Sequence, residues 1–389
     1  MKYYLISGEA SGDLHGSNLV KQLYLADPSA EIRCWGGDLM QTAGATLVKH
    51  YRDLAFMGFA EVVKNLPTIL KNIRFCKEDI RSYQPDVLVL IDYPGFNLRI
   101  AEWAKENGLK VVYYISPQVW AWKENRVKKM KQCIDKMLCI LPFEKAYYHD
   151  KWNWDVDYVG HPLVEVVEEK QSGVGSLELG VSKNNKTSPL LTTNSKLQTP
   201  NSQLIALLPG SRKQEIQKKL PIMLEVAKSF PDYQFVVAQA PGLEDDFYTP
   251  FMAAYQNVSA VRNQTYDLLL RSKAALVTSG TATLETALFG VPEVVCYKGG
   301  AISYQIAKRL IKIKYISLVN LIMDKEVVKE LIQDALTTEN LVTELSLLLN
   351  DTEKQKTLQA DYRALKELLS AGGHASAQAA RIICDFVSK

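Results

Sequence analysis

Leu204-Ile205-Ala206-Leu207-Leu208-Pro209-Gly210-Ser211-Arg212 is a run of five apolar residues that breaks at a Pro-Gly-Ser turn and ends on an arginine. Val277-Thr278-Ser279-Gly280-Thr281-Ala282-Thr283-Leu284-Glu285 repeats the design. Each reads as a buried strand running through a small-residue turn into a helix. Such turns present backbone N–H groups at a helix N-terminus, where partial positive charge attracts an anion. Arg212 adds a forked cation suited to phosphate oxygens. Glu285 falls one to two turns into its helix, within reach of a ribose diol. The two turns point to a nucleoside diphosphate site made by Gly210, Ser211, Arg212, Ser279, Gly280, Thr281, Ala282 and Glu285. Neither turn holds the Gly-Lys-Ser/Thr of an ATPase loop or the G-x-G-x-x-G of a dinucleotide fold, which directs the reading toward a sugar nucleotide.

Outward from these turns the chain alternates short apolar strands with amphipathic segments. Strands are expected at 3–7, 32–35, 87–91, 111–116, 137–140 and 158–160, and again at 204–208, 234–238, 274–278 and 293–297. Helices are expected from about 14, over 97–107, 215–229, 281–289 and 325–334, and from 351 to the end with a break at Ala371-Gly372-Gly373. Alternation of this kind means α/β architecture with parallel sheets covered on both faces. The stretch 171–203 is polar and rich in Ser, Thr and Asn, and reads as a linker or insertion. The expected organisation is two doubly wound, Rossmann-like domains facing a cleft: 1–170, joined by C-terminal helices at about 355–389, and 204–354. Ligands are expected at the carboxyl ends of the strands.

Composition excludes several classes. The chain has 389 residues, 47% hydrophobic and 23% charged, with a net charge of +3. Its basic residues are scattered, which argues against nucleic acid. Six cysteines occur with no C-x-x-C pair and no histidine at zinc spacing, so neither disulfides nor a structural metal are expected. Asp155-Val156-Asp157 is a weak match to the D-x-D of metal-dependent glycosyltransferases, and His161 is read as structural or cleft-lining. The first residues read as a strand rather than a signal peptide. No apolar run approaches the ~20 residues of a membrane span.

Three segments of the first half carry chemistry. Ser7-Gly8-Glu9-Ala10-Ser11-Gly12-Asp13 follows a strand and opens a helix, and Gly8, Glu9, Ser11 and Gly12 are placed in a ligand cleft. Asp92, in Leu90-Ile91-Asp92-Tyr93-Pro94-Gly95-Phe96-Asn97, sits at the carboxyl end of the apolar strand 87–91, where apolar flanks raise a carboxyl pKa and suit it to general-base work. Asn97 is the expected cap of the next helix. Ser116 and Trp120, in Ser116-Pro117-Gln118-Val119-Trp120-Ala121-Trp122, follow another strand end and suit a sugar pocket. The segment 56–73 has a helical apolar stripe that includes Phe59, Val62, Val63, Leu66, Ile69 and Leu70, flanked by Lys64, Lys71, Arg74 and Lys77. It reads either as a core-facing helix or as a basic-rimmed surface for acyl chains and anionic headgroups.

Together these strings resemble the lipid-A-disaccharide synthases, bacterial glycosyltransferases of the two-Rossmann-domain (GT-B) type. The resemblance runs in order through the first turn, Met57-Gly58, Ile91-Asp92 with Phe96-Asn97, the Ser116–Trp122 string and Leu141-Pro142-Phe143-Glu144-Lys145. It continues through the two small-residue turns, Ala307-Lys308-Arg309-Leu310, Ser317-Leu318 with Asn320-Leu321, and Val328-Lys329-Glu330-Leu331. It implies inverting transfer of 2,3-diacylglucosamine from UDP-2,3-diacylglucosamine to 2,3-diacylglucosamine 1-phosphate, giving the β-1,6 disaccharide 1-phosphate and UDP. It further implies Asp92 as catalytic base, Arg212, Glu285 and Asn320 serving UDP, and no cofactor. Work on the cytoplasmic leaflet of the inner membrane, from the cytoplasm, is expected; self-association is left open. Tyr93, Gly95 and the polar stretch at 183–202 depart from the family pattern. The alternatives are a UDP-N-acetylglucosamine 2-epimerase and a non-catalytic sugar-nucleotide sensor.

Overall fold

The computed structural model describes residues 1–54, 66–178, 203–300 and 313–388. Phe59, Val62 and Val63, the polar stretch at 183–202 and the string at 307–310 lie outside them. The chain divides into two compact units, Met1–Glu165 with Leu368–Lys389, and Val166–Glu367.

Unit one is built on a parallel sheet of β1 (Lys2–Ser7), β2 (Glu31–Gly36), β3 (Thr46–His50), β4 (Val87–Ile91), β5 (Val111–Tyr114), β6 (Lys136–Cys139) and β7 (Asp157–Tyr158), in the order β3-β2-β1-β4-β5-β6-β7. Successive side chains of a strand face opposite ways. Tyr4, Ile6, Leu88, Leu90 and Tyr113 therefore enter one core with the helices Leu66–Tyr83 and Pro94–Glu106. Tyr3, Leu5, Val87, Val89, Val112 and Tyr114 enter the other, with the helices Ala10–Ala26 and Ala375–Val387. Burial on both faces explains why β4 reads Val-Leu-Val-Leu-Ile without a polar position. The C-terminal helix packs on this unit because Ala375, Ala379, Ala380 and Ile383 share one face. The break before it brings backbones together: a Cβ at Gly372 would lie 2.1 Å from the Gly160 nitrogen.

Unit two holds β8 (Leu204–Leu208), β9 (Gln234–Gln239), β10 (Val258–Arg262), β11 (Ser272–Thr278), β12 (Glu293–Tyr297) and β13 (Lys329–Ile332), all parallel, in the order β10-β9-β8-β11-β12-β13. Both orders reverse once, beside β1 and β4 in unit one and beside β8 and β11 in unit two. The carboxyl ends of such pairs form the crevice in which doubly wound folds bind ligands.

Three expectations are corrected. The helix expected over 325–334 is instead β13, paired in register with β12 from Val294↔Lys329 to Tyr297↔Ile332. The edge strands β3 and β10 were not expected; their half-exposed residues blur the apolar signal of a strand. The helix after the first turn starts at Ala10, earlier than the expected 14. Among the described residues, no helix is long and apolar enough to cross a membrane.

Candidate active site

In unit two, β8 and β11 end side by side at Leu208↔Val277 and deliver their turns to one cavity of about 440 Å³. Gly210, Ser211, Arg212, Ser279, Gly280, Thr281, Ala282 and Glu285 all line it. Gly210 has φ +115°, a conformation that excludes most L-residues. Gly280 leads into the helix Thr281–Leu288, and Arg212 caps the helix Lys213–Glu225. Both helix starts face the cavity with their first N–H groups unclaimed by a side-chain cap.

Arg212, Glu215 and Glu285 line the cavity, and Lys219 meets Thr278, which also lines it. Arg212 donates from Nη1 to Glu215 Oε1 at 3.3 Å. Glu215 Oε2 lies 3.8 Å from the Lys219 ammonium, which is buried and donates to Thr278 Oγ1. Burial lowers the Lys219 pKa, opposed by the Glu215 charge. Glu285 accepts from the Tyr266 hydroxyl at 3.0 Å, and burial raises its pKa. Glu215 and Lys219 were missed in the sequence because an i, i+4 Glu/Lys pair on a helix reads as a solvated face.

Asn320 braces its surroundings. Its side chain is fully buried. Nδ2 donates to Val328 O and Glu330 Oε1, each at 2.9 Å, and Oδ1 accepts from the backbone N–H groups of Val327 and Val328. Glu330 accepts in turn from the N–H groups of Ile316 and Ser317, and Ser279 Oγ donates to Ile316 O at 2.9 Å. Asn320 thus acts on the cavity through the segment that holds Ser279.

In unit one, β1 and β4 end at Ser7↔Ile91, which sets Gly8 and Asp92 just beyond neighbouring strand ends. Asp92 and Tyr93 both have positive φ, 45° and 49°. Two successive non-glycine residues in this region store strain, which must be held by their surroundings. The Asp92 N–H donates to Tyr114 O at 3.0 Å, while Asp92 O accepts from Asn97 Nδ2 at 2.7 Å and from the Tyr113 hydroxyl at 2.5 Å. The Asp92 backbone is thus pinned on both sides. Burial, and then the Glu9 charge, raise the Asp92 pKa from 3.8 to about 6, against one lowering contact from the Tyr93 N–H.

Asn97 is not the helix cap. It is buried one turn inside Pro94–Glu106, and Nδ2 also lies 3.3 Å from Ile6 O and 3.2 Å from Ile91 O, so it ties the ends of β1 and β4 together. Gly8 lies under the Tyr93 ring, Gly12 packs against Ser7 Oγ, Glu9 is half-buried and Ser11 is exposed. Asp13 is structural: its carboxylate accepts from the N–H groups of Gly37, Leu39 and Met40. Ser116 is buried and hydrogen-bonded to the Tyr148 hydroxyl at 2.7 Å. Trp120 is half-buried, sits edge-on to Phe143, and donates its indole N–H to Glu144 Oε1 at 3.2 Å. Burial holds Glu144 up to about 7. His161 is buried, with Nδ1 accepting from the Leu163 N–H.

The apolar stripe divides. Ile69 packs against the core with Ile73, Cys76 and Ile80, so its place in an acyl-facing surface is corrected. Leu70 faces solvent, 55% exposed.

Known proteins resemble the chain in sequence and in fold. The family model described as lipid-A-disaccharide synthetase matches residues 3–383. The lipid-A-disaccharide synthase of Trichlorobacter lovleyi is 37% identical over 374 residues, 95% of this chain and 93% of that protein. The crystal structure of the UDP-GlcNAc 2-epimerase from Neisseria meningitidis, bound to UDP-GlcNAc, matches with a TM-score of 0.67 at 13% identity, covering 100% of both chains. That of the glycosyltransferase of kitacinnamycin matches with a TM-score of 0.65 at 13% identity, covering 99% of this chain and 98% of its own. The structural likeness is one of fold, whereas the sequence likeness lies with the synthases. The chain belongs to the lipid-A-disaccharide synthase family of glycosyltransferases.

Proposed function

We propose that Asp92 is the base, and the unit-two cavity the pyrophosphate grip, of the family's reaction. That reaction moves 2,3-diacylglucosamine from UDP to the 6-hydroxyl of 2,3-diacylglucosamine 1-phosphate. Asp92 takes the hydroxyl proton as the oxygen attacks the donor's anomeric carbon from the face opposite UDP, which inverts that centre. The new bond is C1–O6; the bond broken is C1 to the β-phosphate oxygen, whose electrons leave with UDP. Arg212 and the N–H groups at Ser211, Gly280 and Thr281 stabilise that departing charge. A charge-assisted bond of this kind contributes ~1.5–3 kcal/mol, and a lost transition-state donor costs on the order of 10²–10³ in rate.

The observation that carries the reading is the position of Asp92 just past the end of β4, beside β1, with its carboxyl pKa raised to about 6 by burial and Glu9. A base of that strength is ionised at neutral pH yet still binds a proton during turnover. Its test is Asp92→Asn, assayed for disaccharide and free UDP. Turnover is expected to vanish while UDP affinity is kept; an active Asp92→Asn protein would overturn the assignment. Release of UDP together with disaccharide also separates the transferase from an epimerase.

Both substrates carry acyl chains, which need an apolar seat. Phe59, Val62, Val63, Leu66 and Leu70 are proposed as that seat, and with it peripheral attachment to the cytoplasmic leaflet of the inner membrane. The exposure of Leu70, beside Lys71 and Arg74 on the same helix, supports this reading.

A further inference from the structure

A cavity of unit one, about 360 Å³, lies between the helix that follows Asp92 and the segment 126–133, with Glu102 among its lining residues, and has no part in the mechanism above. It opens at Pro94 and Gly95, two and three residues past Asp92, and is walled by Arg99, Arg126, Leu98 and Met130. Lys129 also reaches it, but is ion-paired with Glu102. Arg99 and Arg126 ion-pair with no carboxylate among the described residues. They come from separate elements, the helix Pro94–Glu106 and the turn Glu124–Arg126, yet converge on one space. That space is open: a Cβ at Gly95 would meet nothing within 4 Å. The Arg126 charge acts on Tyr113, whose hydroxyl holds the Asp92 carbonyl.

We propose that this cavity binds the phosphate monoester of the acceptor sugar, with Arg99 and Arg126 as its ligands, and thereby turns the acceptor hydroxyl toward Asp92. Two guanidinium forks match the oxygens of a phosphate monoester. The first turn of the Pro94–Glu106 helix adds partial positive charge. The apolar walls, Leu98 and Met130, suit the acyl-bearing side of the same molecule. At most about 11 Å of chain separates Asp92 from Gly95, the scale of one sugar ring with its phosphate. The inference rests on Asp92 as base.

The test compares two acceptors, 2,3-diacylglucosamine 1-phosphate and the 1-O-methyl glycoside of the same diacyl sugar. The wild-type protein is expected to prefer the phosphate at least tenfold in kcat/KM. In the Arg99→Gln/Arg126→Gln protein that preference falls at least tenfold, through a raised KM for the phosphate, and Arg126→Lys restores part of it. The melting temperature, read by calorimetry, reports that the protein is folded. If the double variant does not fold, Gly95→Asp puts a carboxylate into the same space and is expected to erase the preference. A preference that survives, or a rate loss equal for both acceptors, overturns the proposal. So does loss of binding to phosphatidylglycerol vesicles with the acceptor preference intact, which assigns the arginines to a lipid headgroup. Activity in Asp92→Asn overturns the base instead, and is read without reference to either arginine.

Discussion

The ring of Tyr93 lies directly against the backbone of Gly8: a Cβ placed there would come within 2.3–2.6 Å of three ring carbons. The first turn of the chain and the turn carrying Asp92 are therefore one packed unit, and Gly8 is required by its neighbour. Tyr93 is further fixed by stacking on Phe96, with centroids 5.8 Å apart, and by its hydroxyl on Leu54 O. Gly8→Ala must push this ring aside, and with it the strained backbone at 92. Overpacking of this kind costs about 1–3 kcal/mol. The expected result is a lower melting temperature and a fall of at least tenfold in kcat with UDP affinity unchanged. Gly8→Ala/Tyr93→Ala should recover much of the stability, and a single variant that melts like wild type would refute the coupling.

The pH profile reports the Asp92 environment. With its pKa raised to about 6, the ionised base prevails only above that pH, so kcat/KM should rise through an acid limb near 6. Glu9→Gln removes the second cause and leaves burial, so the limb moves down only part of the way toward 3.8. The sign for stability is opposite to that for activity. A carboxyl whose folded pKa is raised contributes fully below its unfolded pKa, and loses that contribution as pH rises through 6. At pH 8 Asp92→Asn should therefore melt higher than wild type, by on the order of 1–3 kcal/mol, while being inactive. An acid limb that stays put in Glu9→Gln would remove Glu9 from the account.

Lys219 separates phosphate binding from stability. Its ammonium is buried under the Gly210 turn with Thr278 and Glu215 as partners. Lys219→Met removes a costly buried charge and keeps the volume, so the melting temperature should hold or rise. It also leaves Glu215 nearer net negative beside the proposed pyrophosphate grip. UDP affinity should then fall about tenfold, roughly 1.4 kcal/mol, measured by calorimetry. Unchanged affinity would make Lys219 a packing residue only.

Much of this arrangement is readable in the chain, and the exceptions share a cause. β4 and β8 announce themselves because both faces are buried, which forces five apolar residues in a row. The small-residue turns are legible because Gly210 and Gly280 occupy conformations open to glycine. β13 failed as an expectation because Glu326-Val327-Val328-Lys329-Glu330-Leu331 serves a helical period as readily as an edge strand, and pairing with β12 decides. The bracing work of Asn97 and Asn320 is hidden for a different reason. Each satisfies backbone groups distant in sequence, Ile6 and Ile91 in one case, Val327 and Val328 in the other. A polar residue at a helix start gives the same local signal whether it caps, binds or braces. The Arg99/Arg126 cavity was illegible altogether, since two scattered arginines converge only in the fold.

The helix Leu66–Tyr83 makes opposite predictions for its two faces. Ile73 is buried in the unit-one core beside Cys76 and Ile80, whereas Leu70 is exposed. Ile73→Ser leaves a cavity and a buried hydroxyl, at a cost of about 2–5 kcal/mol, and should lower the melting temperature sharply with or without lipid. Leu70→Ser removes surface apolar area alone, so the melting temperature should stay within the ±0.5 kcal/mol common at exposed sites. If this face seats acyl chains, Leu70→Ser together with Val62→Ser and Val63→Ser should cut co-sedimentation with anionic vesicles severalfold and raise KM for both acyl substrates. A triple variant that sediments like wild type would return the stripe to an ordinary helix surface, while one that unfolds would assign Val62 and Val63 to the core that Ile69 already joins.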